Sequence, residues 1–290
     1  MSSAEPAEPA EPAEPAEQAE PAGVVIGIPV YGRLDLAERA VRALDRSTPV
    51  EVELVLIDDC GPQRLAEESI AGWLATGRRW RLVSHQTNVG FVGTVNELFE
   101  LAGDRDVLVL NSDVEVLPGW FEGLADAIGS RDQVASASAL ATEGSLLSVP
   151  ELAAVPAEDE RLASVRAAVP AAAAIPVAVA HCTWFDRAAI EQVGPFDRHF
   201  DPGYGEEVDW SLRAAQHGLI HLAALHSFVR HEGGASFGDQ QGRWTLARRH
   251  ELRLLLRYPL RWWRIRRFAA DQNTPFAQAM RQIRALLAPR

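Results

Sequence analysis

Four short runs, Val24–Val30, Val52–Ile57, Arg81–Ser84 and Val107–Leu110, alternate with helical patterns at Leu34–Ser47, Leu65–Ala75 and Val92–Leu101. Apolar runs of strand length that lack strict in-out alternation suit strands covered on both faces, and a helix between two such runs returns the chain for a parallel neighbour. The order is that of successive βαβ units. It predicts an α/β fold built on a mostly parallel mixed sheet flanked by helices. In such a sheet, a polar residue one or two positions past a strand end points into the crevice where ligands bind.

Two strand ends carry carboxylates. Glu53–Ile57 runs into Asp58-Asp59-Cys60-Gly61, and Asp106–Leu110 runs into Asn111-Ser112-Asp113 before Val114-Glu115-Val116. Each pair alone also suits an Asx-turn. A third acidic group, Glu206, Glu207 and Asp209, follows Gly203-Tyr204-Gly205 at the mouth of a helix predicted over Val208–His217, and an imidazole, His231, returns from a later segment. Like charges this close raise each other's pKa unless a cation or backbone donors compensate. The group therefore suits general-base chemistry beside a bound metal, or else it charges the first helical turn, where the dipole favours anions.

Seven segments in order resemble the inverting family 2 glycosyltransferases. They are Val24-Val25-Ile26-Gly27-Ile28-Pro29-Val30-Tyr31, Ile57-Asp58-Asp59, Asn88-Val89-Gly90-Phe91 with Asn96, Leu110-Asn111-Ser112-Asp113, Val193-Gly194-Pro195-Phe196-Asp197, Glu206-Glu207-Val208-Asp209 and His231-Glu232-Gly233-Gly234-Ala235-Ser236. The resemblance spans residues 24–238. It implies the glycosyltransferase A (GT-A) fold, a nucleotide-diphospho-sugar donor (a UDP- or dTDP-sugar), a divalent metal (Mg²⁺ or Mn²⁺), and a glycan, lipid-linked or small-molecule acceptor.

Carried over position by position, the resemblance implies donor contacts from Pro29, Tyr31, Asp58, Asp59, Asn88, Gly90, Asn111 and Ser112. Asp59 would accept a hydrogen bond from the N3–H of a pyrimidine, and Asp58 would support that turn. Asp113 and His231 would hold the metal, with Asn111 where the family more often has the first Asp of an Asp-x-Asp; a neutral amide holds a hard cation less firmly than a carboxylate. Glu207 matches the general base, usually Asp, with Glu206 as the alternative and Asp209 completing the acidic group. Gly90 and Gly93 let backbone approach the donor, or simply open a helix after the Asn88 cap. Trp184 and Trp210 are candidate platforms for an acceptor sugar, or core residues.

Composition bounds the alternatives. Cys60 and Cys182 have neither metal-type nor disulfide-framework spacing and read as small buried hydrophobes. No apolar run of about 18 residues and no signal-type N-terminus is present, so a cytoplasmic protein is expected, with contact at the inner face of the membrane as a variant of that reading. The net charge of −12 argues against nucleic acid. Residues 1–22 repeat Ala-Glu-Pro and read as an extended acidic tail; 23–115 should hold the nucleotide sugar, 116–240 the acceptor and catalytic groups, and 241–290 a basic, aromatic helical extension. Thr142–Pro176, rich in Ala and Pro, shows no periodicity and reads as a mobile loop over the acceptor or a peripheral insertion. From Arg243 onward, twelve Arg face only Glu251 and Asp271, a net +10 that leaves −22 on the remainder. That extension suits an anionic membrane surface, or packing on the acidic body of the same chain or of a twin subunit. Two other functions fit the same residues: a nucleotide-sugar-binding protein without catalysis, and a membrane-surface adaptor.

Overall fold

The computed structural model describes residues 23–233 and 240–288; the Ala-Glu-Pro tail and Gly234-Ala235-Ser236 lie outside the described residues. The strands are β1 (Val24–Val30), β2 (Glu53–Asp58), β3 (Trp80–Ser84), β4 (Asp106–Leu110), β5 (Val114–Val116), β6 (Val134–Ala141), β7 (Ala172–Ile175), β8 (Cys182–Phe185) and β9 (Ile220–His231). The helices are α1 (Leu34–Ser47), α2 (Glu67–Trp73), α3 (Gly90–Leu101), α4 (Trp120–Ile128), α5 (Glu160–Ala168), α6 (Arg187–Val193), α7 (Glu206–Ala214), α8 (Gln240–Arg257), α9 (Pro259–Ala270) and α10 (Pro275–Leu287).

Among the described residues, nine strands form one sheet in the order β3-β2-β1-β4-β8-β6-β9-β5, with β7 also paired to β9. The pairs among β3, β2, β1 and β4 are parallel, as is β6–β9. Strands β8, β5 and β7 run antiparallel to their neighbours. This is the predicted α/β sheet flanked by helices. Alternate residues of β1 serve two cores. Ile26, Ile28 and Val30 join Ala37, Val41 and Leu44 of α1, while Val25 joins Val92, Val95 and Leu98 of α3. On the α3 side, a Cβ on Gly27 would fall 1.8 Å from Leu98 Cδ2, so this glycine sets how closely α3 lies on the sheet.

Three stretches differ from expectation. Val177–Phe185 becomes a strand only at Cys182, because the N–H groups of Ala178 and Val179 donate to the Ser211 and Ser138 hydroxyls instead of to a ladder. The helix expected from Val208 begins at Glu206, which brings all three acids into its first turn. Thr142–Pro176 joins the sheet through β7 and builds a third core, with Leu147, Val149, Leu152, Leu162 and Val165 buried against Phe276, Met280 and Ile283 of α10. It is therefore part of the body and not a peripheral insertion.

The C-terminal extension is helical as expected. Helix α10 packs on the body, α8 buries His250 and Leu254, Tyr258 is buried between α8 and α9, and α9 buries no residue. No helix among the described residues is long and apolar enough to cross a membrane.

Candidate active site

The first strand end to reach the crevice is that of β2. Asp58 is fully buried, and its Oδ2 accepts from Arg64 Nε at 2.6 Å and from the Leu65 N–H at 3.0 Å, which fixes the loop after the strand. Asp59 turns the other way. Its Oδ1 accepts from the Val89 N–H at 2.8 Å and lies 2.7 Å from His85 Nδ1, while its Oδ2 accepts from the Gly90 N–H at 2.9 Å. The Asn88 amide donates to the Asp59 carbonyl, and its oxygen accepts from Gly90 N–H. Asp59 thus ties β2 to the start of α3, where unpaired N–H groups and the helix dipole favour an anion.

His85, one residue past β3, was not singled out by any motif. Its Nε2 lies 2.5 Å from Glu97 Oε2, so the ring bridges two carboxylates. Carboxylates only accept, so both ring nitrogens carry protons. Burial works against that charge, but Asp59 and Glu97 outweigh it and raise the His85 pKa.

A cleft of about 250 Å³ opens beside Asp59. Pro29, Tyr31, Asp59, Asn88, Gly90, Asn111 and Ser112, all expected at the donor, line it together with Val30, Phe91, Thr94 and Pro202, which were not. Asp58 does not reach it, because its carboxylate is turned to Arg64 and Leu65. The Phe91 N–H donates to the Pro202 carbonyl at 2.9 Å, and a Cβ on Gly90 would sit 3.0 Å from Pro202 Cα. Gly90, at φ 77°, thus lets the loop before α7 close over the start of α3.

The second strand end places Asn111, Ser112 and Asp113 between this cleft and a larger cavity of about 510 Å³, lined by Asp113, Glu143, Arg230, His231 and Glu232 among others. Asn111 Oδ1 is buried with no partner among the described residues. Antiparallel pairing of β5 with β9 sets Val114 opposite His231, and this register brings His231 Nε2 to 3.3 Å from Asp113 Oδ1. His231 Nδ1 lies 2.8 Å from the Glu143 carbonyl, which can only accept, so Nδ1 carries a hydrogen and Nε2 faces the carboxylate. Burial opposes protonation of His231, but Asp113 outweighs it and the pKa is raised. His181 stacks on this ring, with centroids 5.4 Å apart; burial lowers its pKa to about 3 and keeps it neutral.

A metal-ligating imidazole characteristically donates its other N–H to a carbonyl or carboxylate. His231 has that arrangement, and Asp113 supplies the hard anionic oxygen beside it. Among the described residues no cluster of three or more His, Cys, Asp or Glu forms a closed cage. An open two-ligand arrangement suits an ion whose remaining positions come from phosphate oxygens and water. The residues present fit a divalent cation.

The mouth of α7 supplies the third element. Glu206 is 4% exposed, its Oε2 has no partner among the described residues, and burial followed by the charge of Glu207 pushes its pKa well above the ordinary value. Glu207 is half-buried; burial raises its pKa too, while the N–H groups of Glu207, Gly205 and Val208 pull it back. Asp201 Oδ1 is a further buried oxygen of this group without a hydrogen-bond partner among the described residues. Helix α8 braces the loop from behind, with His250 Nδ1 3.0 and 2.9 Å from the Gly203 and Tyr204 carbonyls.

Three expected site residues are corrected. Asp209 is fully buried and accepts from Arg213 Nε, Arg257 Nη1 and the Tyr258 hydroxyl, which makes it an anchor for α7 and α8 instead of a member of the catalytic group. Trp210 is 0% exposed, packs edge-on against Phe185, and donates its Nε1–H to the Gly194 carbonyl, so no face remains for a sugar. Trp184 lies in the core beside Phe121 and donates to Asp106 at the opposite end of β4 from Asn111. Both rings follow the general rule that buried aromatic area serves the core.

Residues 25–194 match the model of "Glycosyl transferase family 2". No curated protein matches the chain. Among solved structures, it is similar to the crystal structure of GalNAc-T7 with UDP, GalNAc and Mn²⁺, at 16% identity and a TM-score of 0.56, covering 72% of this chain and 43% of that one. It is also similar to the mannosyltransferase PcManGT from Pyrobaculum calidifontis in complex with GDP-Man and Mn²⁺, at 15% identity and a TM-score of 0.58, covering 93% of this chain and 71% of that one. The chain thus spans less than half the length of the first, and at these identities the likeness speaks for the GT-A fold.

Proposed function

The chain belongs to glycosyl transferase family 2, and we propose that it is a metal-dependent, inverting enzyme that moves a sugar from a UDP- or dTDP-sugar to an acceptor hydroxyl. The observation that carries this reading is the Asp113–His231 pair, held by the β5–β9 register with Nε2 turned to the carboxylate, next in the chain to residues that line the Asp59 cleft. The two cavities together fall within the roughly 300–1,000 Å³ of small-molecule sites.

Asp59 supports a pyrimidine. A carboxylate offers about four lone-pair sites. Val89, His85 and Gly90 take three of them, two on Oδ1 and one on Oδ2. One acceptor site on Oδ2 is left, enough for the single N3–H of uracil or thymine; guanine presents N1–H and an amino group side by side and needs both oxygens. The neighbours carry UDP in one case and GDP-Man in the other, so the fold tolerates either base and the choice rests on Asp59.

Asp113 and His231 hold Mg²⁺ or Mn²⁺, which when bound supplies positive charge where the diphosphate leaving group becomes negative. Glu207 accepts the acceptor's hydroxyl proton as that oxygen bonds to the anomeric carbon from the face opposite the diphosphate. The bond from that carbon to the diphosphate oxygen breaks, the nucleoside diphosphate leaves with the electron pair, and the configuration inverts. Burial raises the pKa of both acids, but Glu206 is the more deeply buried and also feels the charge of Glu207, whereas the N–H groups of Glu207, Gly205 and Val208 favour the charged form of Glu207, which makes Glu207 the member suited to accept the proton. A thermal-shift comparison of UDP, dTDP and GDP with and without Mn²⁺, run on the parent and on Asp113→Ala, tests the assignment. The parent should be stabilised most by UDP or dTDP with Mn²⁺, and the variant should lose the metal-dependent part. An equal Mn²⁺ effect in both proteins would remove the metal assignment, and a preference for GDP would remove the pyrimidine.

A further inference from the structure

Helices α8 and α9 present two unlike faces. On the inner face of α8, His250 and Leu254 are buried, as is Tyr258 between the two helices. The arginines on the body side are engaged: Arg253 binds the His199 carbonyl, Arg257 binds Asp197 and Asp209, and Arg261 binds the Leu212 carbonyl. The outer face is the reverse. Trp244, Leu252 and Leu256 recur at multiples of four along α8, with Arg248 and Arg249 beside them, and Leu260, Trp263, Arg264 and Arg267 share one face of α9. These five apolar side chains are between 56% and 79% exposed, more than Tyr31 (40%) and Val50 (49%), the other exposed large hydrophobics among the described residues. Arg248, Arg249, Arg264, Arg266 and Arg267 are exposed and make no side-chain hydrogen bond or ion pair among the described residues.

A soluble monomer rarely gathers large apolar side chains into one exposed stripe without a partner. We propose that the outer face of α8–α9 docks on the surface of an anionic lipid bilayer, with Leu252, Leu256 and Leu260 reaching below the headgroups, Trp244 and Trp263 at the interface, and the five free arginines against lipid phosphates. Charge complementarity selects this occupant. A twin subunit applying the same face would bring two sets of unpaired arginines together, and a nucleic acid would leave three leucines against phosphate and water. An anionic bilayer satisfies both halves of the stripe, because its headgroups attract Arg and its boundary takes up Leu and Trp. The inner face of the same helix holds the Gly203–Gly205 loop and Asp209, so the docked element is the one that braces the mouth of α7. The inference does not depend on which donor the site takes.

The experiment is cosedimentation of the full chain with vesicles of phosphatidylcholine alone, and with vesicles of phosphatidylcholine and phosphatidylglycerol in equal parts. The protein should partition onto the mixed vesicles, bind neutral vesicles far less, and release as salt is raised. Leu256→Glu combined with Leu260→Glu should lower partitioning roughly tenfold or more at an unchanged melting temperature, since these side chains touch solvent in the free protein. Arg264→Ala with Arg267→Ala should weaken binding to the mixed vesicles specifically. Failure to bind anionic vesicles, equal binding to both compositions, or undiminished binding by the leucine variant would overturn the proposal. So would light scattering that shows a dimer which the leucine variant dissociates while lipid binding is absent.

Discussion

Replacing Glu206 with Gln isolates the proton held at the mouth of α7. In the unfolded chain this carboxyl ionises near its ordinary value of 4.5, whereas in the folded protein burial, then the charge of Glu207, hold it protonated to much higher pH. Folding above pH 4.5 therefore takes up a proton. The sign follows from linkage: the native state binds more protons than the unfolded state, so stability falls as pH rises from the unfolded towards the folded pKa, by about 1.4 kcal/mol per pH unit for one proton. Glutamine has the same shape and does not titrate, so the variant lacks this slope. Repacking of the amide adds a constant offset at every pH and leaves the difference in slope intact. Urea unfolding at a series of pH values from about 4.5 to 8 reads the slope as long as m is unchanged. The variant should gain on the parent as pH rises from the unfolded towards the folded pKa of Glu206, while turnover changes little. Glu207→Gln, by contrast, should keep donor affinity and lose about 10²–10⁴-fold in turnover. Parallel stability curves for the parent and Glu206→Gln would refute the buried proton, and an exchange of the two turnover penalties would make Glu206 the base.

Two further outcomes follow from the anchors around the site. His85 has a raised folded pKa, so its contribution to stability is complete below the unfolded value near 6.5 and fades as pH rises through the folded one. His85→Gln should cost about 1.5–3 kcal/mol at mildly acidic pH and progressively less in alkali, with nucleotide affinity falling as Asp59 loses its support; a cost independent of pH would contradict the bridging imidazolium. Tyr258→Phe removes the hydroxyl 2.9 Å from Asp209 Oδ1 but leaves Arg257 on the same oxygen. Denaturant melts should show a loss of about 1.5 kcal/mol, the low end for a bond to a charged group, and no change would mean that Arg257 alone suffices.

The parallel half of the sheet was legible because each of its strands is a short apolar run ended by turn chemistry, and the strand-end positions Asp59, Asn111 and Ser112 followed from that order. His231 was legible only through the resemblance, since its approach to Asp113 depends on the β5–β9 register, which no local pattern encodes. His85 was missed for the same reason: a single imidazole past an unremarkable strand meets Asp59 only because β3 pairs with β2. Asp209 stands two positions from Glu207 and has the same charge, yet on a helix it shares a face with Glu206, Trp210 and Arg213, while Glu207 is turned about 100° from Glu206. Composition cannot tell these faces apart before the helix start is known, and Glu206 proved to be that start. Thr142–Pro176 hid its place in the third core because its elements are too short to show a period and its alanines carry no preference between strand and loop.

The continuity of the sheet limits how such a protein could be re-engineered. Strand β4 lies between β1, from before it in the chain, and β8, from well beyond residue 116, so the segments before and after residue 116 share backbone hydrogen bonds across the centre of one layer. A chimera spliced at that boundary would strip β4 of one neighbour and leave an apolar edge bare in each fragment, a template for aggregation and not a transplantable module. Donor and acceptor preference could instead be exchanged through the segments that leave the sheet, chiefly 86–90, 142–150 and 201–205, with the strands left in place. A library confined to those positions would vary the cavities while leaving the strand pairings of the sheet untouched.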